Sequence, residues 1–278
     1  MRTLKTILRN PGAALGLLGV VAFILIGILA PLVSPFDPNK QNLRAIFRPP
    51  SKEHPFGTDQ FGRDILSRVL WGARTSLIVA TSAIALAMLV GALTGVSVGY
   101  RGGWADEAVM RFVDVLLTFP DIFLAIIVTA VVPPGLGTTV LAIAVYNLPQ
   151  FIRVARAAAL SVRENAFVEA ARASGASSAY IVLRHILPNS LAPIVVLATL
   201  RTAASILTAA GLSFLGLGVQ PPTPEWGTMI SEARVYIVTA PWTSLFPGLA
   251  IFLTVLSFNL LGDGINDALN PRRKAFRG

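Results

Sequence analysis

Glu169-Ala170-Ala171-Arg172-Ala173-Ser174-Gly175-Ala176-Ser177-Ser178-Ala179-Tyr180-Ile181-Val182-Leu183-Arg184-His185-Ile186-Leu187-Pro188 is a charged, alanine-rich, helix-forming segment. Apolar runs flank it on both sides, over residues 138–154 and 191–214. A hydrocarbon core of ~30 Å takes ~20 apolar residues of helix. A polar loop held between two such runs is the signature of a chain that crosses a membrane, leaves it, and crosses again.

Composition agrees. Of 278 residues, 54% are hydrophobic and 13% charged, and mean hydropathy is +0.68. A soluble domain has too little interior to hide that much apolar surface, so the expected class is an all-α polytopic membrane protein. The net charge of +9 would suggest nucleic acid in a soluble protein. Here the cations gather at the two ends and in one internal loop, which is the positive-inside pattern and excludes a nucleic-acid partner. With no cysteine there is no disulfide framework, thiolate metal site or thiol nucleophile. The two histidines, His54 and His185, leave little for acid–base chemistry.

Outward from the loop, six spans are expected. The first follows Arg2, Lys5 and Arg9, starts at Asn10-Pro11 and runs to about residue 34. It is longer than a signal-peptide core and has no small-x-small cleavage site, so it reads as an uncleaved helix. Residues 35–72 are polar, then amphipathic. Ile65, Leu66, Val69 and Leu70 share a face, with Asp64 and Arg68 opposed at i, i+4, which suggests a helix lying flat on the membrane. The other spans fall at 75–100, 107–132, 138–154, 191–214 and 245–261, with turns at Arg101-Gly102-Gly103 and Pro133-Pro134-Gly135.

A loop with Pro221, Pro222 and Pro224 precedes the last span, and a tail with Arg272, Arg273, Lys274 and Arg277 follows it. Six crossings put both termini and the 153–189 loop on one side, and the cation count makes that side cytoplasmic. The first outer loop is an exception, carrying Lys40, Arg44, Arg48, Lys52, Arg63 and Arg68 against Asp37, Glu53, Asp59 and Asp64. Trp71, Trp104, Trp226 and Trp242 fall at span boundaries, as in an aromatic belt.

Within the loop, Ser161 and Glu164 have the spacing of a capping box. Gly175 sits where a helix would end in a left-handed residue, and Ser177 or Ser178 can cap a second short helix that stops at Pro188. Ala166, Ala170, Ala171 and Ala173 would let a partner approach the first helix closely. On pattern alone, an ordinary solvated linker fits equally well.

Gly91, Gly95 and Gly99, and Gly12 and Gly16, have the four-residue spacing of close helix packing. Arg201 lies inside a span, where exposure to lipid costs about 2.5–3.5 kcal/mol. It should face protein or water, and pore lining and pairing with Asp114 or Asp121 both remain open. Gly211-Leu212-Ser213-Phe214-Leu215-Gly216 comes near a nucleophile elbow, but its second glycine is one residue late and no span holds a histidine to activate the serine. No catalytic residue, cofactor site or metal site is expected. No Gly-x-x-x-x-Gly-Lys-Ser/Thr occurs, so ATP is not read through a P-loop here.

Glu169, Ala170, Ala171, Gly175, Leu187 and Pro188 fall at the spacings of the EAA loop, and the segment resembles that loop in permease subunits of ATP-binding-cassette importers. His185 departs from the isoleucine usual there. Arg184-His185-Ile186-Leu187-Pro188-Asn189 instead resembles the oligopeptide, dipeptide and nickel branch of the binding-protein-dependent permeases. Also similar to that branch are His54-Pro55-Phe56-Gly57-Thr58-Asp59 with Gly62-Arg63-Asp64, Gly211 to Gly218 with Trp226-Gly227, and Asn259-Leu260-Leu261-Gly262-Asp263 with Asp267.

The resemblance implies a type I ABC importer transmembrane domain of six helices. Residues 1–72 would be an N-terminal helix and extracytoplasmic segment, 73–265 the transmembrane domain with its coupling loop at about 156–189, and 266–278 a basic cytoplasmic tail. Implied partners in the cell inner membrane are a second homologous permease subunit, two ATPase subunits carrying ATP-Mg, and an extracytoplasmic solute-binding protein. The implied function is alternating-access import of di- or oligopeptides or related small solutes, with Glu169 contacting the ATPase or its neighbour Arg172. Residues 35–72 and 219–244 would receive the binding protein, with Asp59 and Glu225 as outward positions. A passive channel or structural scaffold is the competing reading.

Overall fold

The Asn10 side chain accepts a hydrogen bond from the Gly12 N–H at 3.1 Å and Pro11 supplies a fixed φ, so the first helix, α1 (Pro11–Val33), starts where the sequence expects it. The computed structural model describes Leu8 and residues 10–269, apart from the Asp121 side chain. Arg2, Lys5, Arg9, Arg272, Arg273, Lys274 and Arg277 lie outside the described residues.

After an irregular outer segment with one 3-10 turn, Leu43–Ala45, comes α2 (Ile65–Arg101). Its 37 residues make about 55 Å of continuous helix. The expected flat helix is therefore the first turns of the second span. Asp64 caps it through the Ser67 N–H at 2.7 Å, and no proline interrupts it up to Arg101. On that face Ile65 is buried and Val69 packs partly buried against the same protein core, while Leu66 and Leu70 are half-buried.

Then follow α3 (Gly103–Thr118), α4 (Asp121–Val131), α5 (Leu136–Arg163), α6 (Ala166–Ala173), α7 (Ser178–Phe214), α8 (Trp226–Ala233) and α9 (Trp242–Leu269). Among the described residues there is no strand, only an isolated bridge from Thr58 to Asp64.

The third span is not one helix. α3 and α4 meet at a bend of 95°. Phe119, held extended before Pro120, cannot continue the helix. The 11 residues of α4 reach only about 16 Å, short of a ~30 Å core.

Contacts fix the direction of each helix. A Cβ at Gly91 would lie 2.5 Å from Phe151 Cβ, one at Gly99 would lie 2.9 Å from Arg156 O, and one at Gly95 would meet Ile152 O between them. The pairing rises together on both helices, so α2 and α5 run parallel. The chain between them must cross back through α3 and α4, which makes the bent pair a sixth crossing. Gly16 packs against Leu261 and Gly264 against Ala13, so α1 and α9 are antiparallel. The start of α1, the end of α9 and the α5–α7 connection thus share one end of the bundle.

The glycine rows act as the spacing implied, by letting backbones touch where no hydrophobic drive separates helix from lipid. Gly12 is the exception, its nearest neighbours lying 3.5 Å or more away. One apolar core joins α2, α5 and α7, and a second joins α1, α2, α7, α8 and α9. Trp104 is 83% exposed, whereas Trp226 is not available to an aromatic belt. Trp226 is fully buried, lies edge-on to Phe23, and donates from its indole to Val69 O at 3.0 Å.

Candidate functional site

The α5–α7 connection is built as two helices clamped at a fixed angle. α6 ends in a Schellman motif, in which the Gly175 N–H donates to Arg172 O at 3.0 Å and the Ala176 N–H to Ala171 O at 3.1 Å. Gly175 has φ +78°, the left-handed conformation the sequence suggested, and a side chain there would meet no atom within 4 Å. The Ser177 hydroxyl then accepts the Tyr180 N–H at 3.3 Å and caps α7.

Two expectations fail. Ser161 and Glu164 do not form a capping box, because α5 runs through to Arg163 and Glu164 is its C-terminal cap. The Asn165 side chain instead donates back to Val162 O at 2.8 Å. Nor does a short helix stop at Pro188. Its missing N–H is absorbed by a π turn over Val182–Ile186, where the Leu187 N–H bonds Val182 O, and the helix continues into the membrane as α7. The second helix of the connection and the fifth span are therefore one rod.

Val168 anchors α6 by burying completely in the same core as Ile181, Val182 and Ile186. Glu169, Ala170, Gly175 and Pro188 are exposed, as are Ala166 and Ala173, whereas Ala171 and Leu187 turn partly inward. Glu169 makes no ion pair with Arg172 among the described residues. Arg172 instead lies over the Tyr100 ring, 5.6 Å from its centre. His185, the departure from the usual isoleucine, sits between Phe167 and Tyr180, with ring centres 6.2 and 5.6 Å away. Phe167 and Tyr180 are 44% and 54% exposed, an aromatic patch the sequence reading missed because its members lie on separate helices.

Within the membrane, α5 and α7 meet along a polar seam. Tyr146 faces Thr208 at 3.3 Å, and the fully buried Asn147 donates to Ser205 at 3.2 Å. Arg201 donates to Gln150. Its expected partner Asp114 is taken by Arg153, and the side chain of Asp121 is outside the described residues. Ser213 is a turn residue whose hydroxyl accepts the Val219 N–H at 3.3 Å, ahead of a second Schellman turn at Gly216.

At the opposite end, the outer segment and the α7–α9 connection are welded by buried charge. Arg63 bonds Asp59 at 2.6 Å and Glu232 at 2.8 Å, and Arg68 lies 3.5 Å from Glu232 and 3.7 Å from Asp59. Arg68 does not pair with Asp64, which holds His54 at 2.9 Å and caps α2. Two of the cations that break the positive-inside pattern are thus neutralised within the fold. Asp59 and Glu225 are 5% and 2% exposed and so are not the outward positions expected. Glu225 caps α8 through the Thr228 N–H at 2.8 Å. Val235, Ile237 and Val238 are exposed apolar residues of the α7–α9 connection.

Known proteins match this arrangement. Residues 87–275 fit the family model of the binding-protein-dependent transport system inner membrane component, and residues 2–50 fit that of the N-terminal TM domain of oligopeptide transport permease C. The dipeptide transport system permease protein DppC of Alkalihalophilus pseudofirmus is 47% identical over 98% of this chain and 89% of its own length. The glutathione transport system permease protein GsiD of Escherichia coli is 48% identical over 92% of this chain and 84% of its own. In fold, the chain resembles one in an inward-facing structure of the MetNI methionine ABC transporter. The TM-score is 0.59 at 21% identity, over 74% of this chain and 98% of that one. The chain belongs to the family of binding-protein-dependent transport system inner membrane components.

Proposed function

We propose that this chain is a permease subunit of an ATP-driven importer of small peptides, in which the exposed face of α6 docks onto a separate ATPase and the α7 rod carries its motion into the membrane. The observation that carries the reading is the join at Pro188. A helix continuous from Ser178 to Phe214 would carry a displacement of the adjoining α6, held to it through the Gly175 turn and the core at Val168, along the polar seam. ATP-Mg belongs to the partner, and a second permease subunit completes the path. Relatives whose names specify a dipeptide and glutathione favour a short peptide as solute. Alternating access then requires that ATP binding stabilise one of two bundle arrangements through contacts made only in that arrangement.

The end bearing Gly175 is taken as the cytoplasmic one, because α1 starts and α9 ends there and the basic stretches of the sequence adjoin those two helix ends. The outer segment and the loop with Val235 and Val238 receive a solute-binding protein. In proteoliposomes containing both permease subunits and the ATPases, uptake of a labelled dipeptide or glutathione should require ATP and the binding protein. Uptake that persists without ATP would make the chain a channel instead.

Orientation has its own test, since the chain lacks cysteine. In sealed cells and inverted vesicles, Ala176→Cys should react with an impermeant thiol reagent only from the cytoplasm, and Thr223→Cys only from outside. Reaction of both from the same face would overturn the orientation.

A further inference from the structure

Beside the coupling loop, Tyr100, Arg101, Arg163, Glu164, Arg172 and Ser178 line a cleft of about 480 Å³ whose walls are almost wholly polar. Three guanidinium groups meet one carboxylate there. Glu164 is already bonded by Arg163 at 2.9 Å, and the nearby Asp106 is held by Arg156 at 2.6 Å. Arg163 also donates to Gly99 O at 3.1 Å. Arg101 and Arg172 are exposed and meet no carboxylate among the described residues, and Arg172 lies over the Tyr100 ring. Trp104, three residues beyond Arg101, is largely exposed, as a side chain at the membrane–water interface would be.

We propose that this cleft binds an anionic phosphate group, with Arg101 and Arg172 as its principal contacts. Guanidinium forks match phosphate oxygens, and basic pockets between membrane helices at the cytoplasmic face suit lipid headgroups. Both acids near the cleft are engaged, so the site carries a net positive charge that an anion would neutralise. Arg101 ends α2 and Arg172 belongs to α6. An occupied cleft therefore ties the coupling helix to the bundle, in addition to the apolar anchor at Val168. Choosing the cytoplasmic leaflet rests on the orientation proposed above, but binding itself does not.

The test uses the whole importer, with its ATPases, in nanodiscs whose two leaflets have the same composition, so an error in orientation cannot mask binding. Native mass spectrometry should find phosphatidylglycerol retained from mixed phosphatidylcholine and phosphatidylglycerol discs. Arg101→Gln with Arg172→Gln should weaken that retention about tenfold or more, as expected for two lost cations near an anionic headgroup. Arg111→Gln, which removes one cation outside the cleft, should leave retention unchanged, and each single variant, Arg101→Gln or Arg172→Gln, should weaken it. Displacement of the bound lipid by millimolar inorganic phosphate would identify free phosphate as a competent source and support the same site. Equal retention in the double variant and the wild type would overturn the proposal. So would a double variant that keeps its lipid but sheds its ATPase, which would assign the arginines to an acidic protein surface.

Discussion

Uptake by the reconstituted importer should fall about five- to thirtyfold when Gly175 is replaced by valine, the range that 1–2 kcal/mol of backbone strain produces in a two-state population. Gly175 has φ +78° and an empty surround. A β-branched side chain there clashes with its own backbone and with nothing else, so the lesion acts on the angle between α6 and α7 alone. Asparagine tolerates the left-handed region, and Gly175→Asn should restore most of the loss. Adding Glu169→Ala should deepen the defect, because Glu169 is exposed and has no ion-pair partner among the described residues that its loss would disturb. Both residues lie outside the hydrocarbon, so membrane insertion and thermal stability should stay near wild type. Wild-type uptake and ATPase stimulation in the double variant Gly175→Val, Glu169→Ala would reduce the loop to a linker.

Glu232→Ala should destabilise the subunit by about 3–5 kcal/mol, the usual cost of removing one partner from a buried ion cluster. Arg63 and Arg68 are 2% and 1% exposed, and without Glu232 the one carboxylate left to pair them among the described residues would be Asp59. Arg68 already has one guanidinium nitrogen without a hydrogen bond, so the cluster has little slack. The effect should appear as a lower unfolding temperature in detergent and a lower yield from membranes. Arg68→Met added to Glu232→Ala should recover part of it, because an apolar chain of similar length removes the orphaned charge rather than leaving it buried. A Glu232→Ala variant as stable as wild type would show that the weld between the two outer segments is held by packing alone.

How much of this was legible in advance follows from what each signal measures. Apolar run length fixed the spans at 11–33, 138–154 and 191–214 to within their interiors, because transfer into lipid depends on summed composition. Between 107 and 132 it found the crossing but not the break, because average hydropathy passed over the effect of Pro120 on the residue before it. It failed at residue 65, where an amphipathic face was assigned to the membrane surface and is in fact packed on protein. Both patterns bury the same side chains, and only the neighbours differ.

At the coupling loop, Gly175 and Ser177 were readable because left-handed turns and helix caps are local chemistry, complete within a few residues. Pro188 misled for the same reason. A proline forbids one hydrogen bond, but whether the helix ends or bulges depends on packing at Ile181, Val182 and Ile186. Chain order alone determined that this protein crosses a membrane several times and carries a charged, glycine-turned loop between two of its spans. Which charges meet was decided only by the tertiary structure. Arg201 turned to Gln150, Arg68 to Glu232 and Arg172 to Tyr100, because those partners lie 51, 164 and 72 residues away in sequence, and helix packing alone brings them within reach.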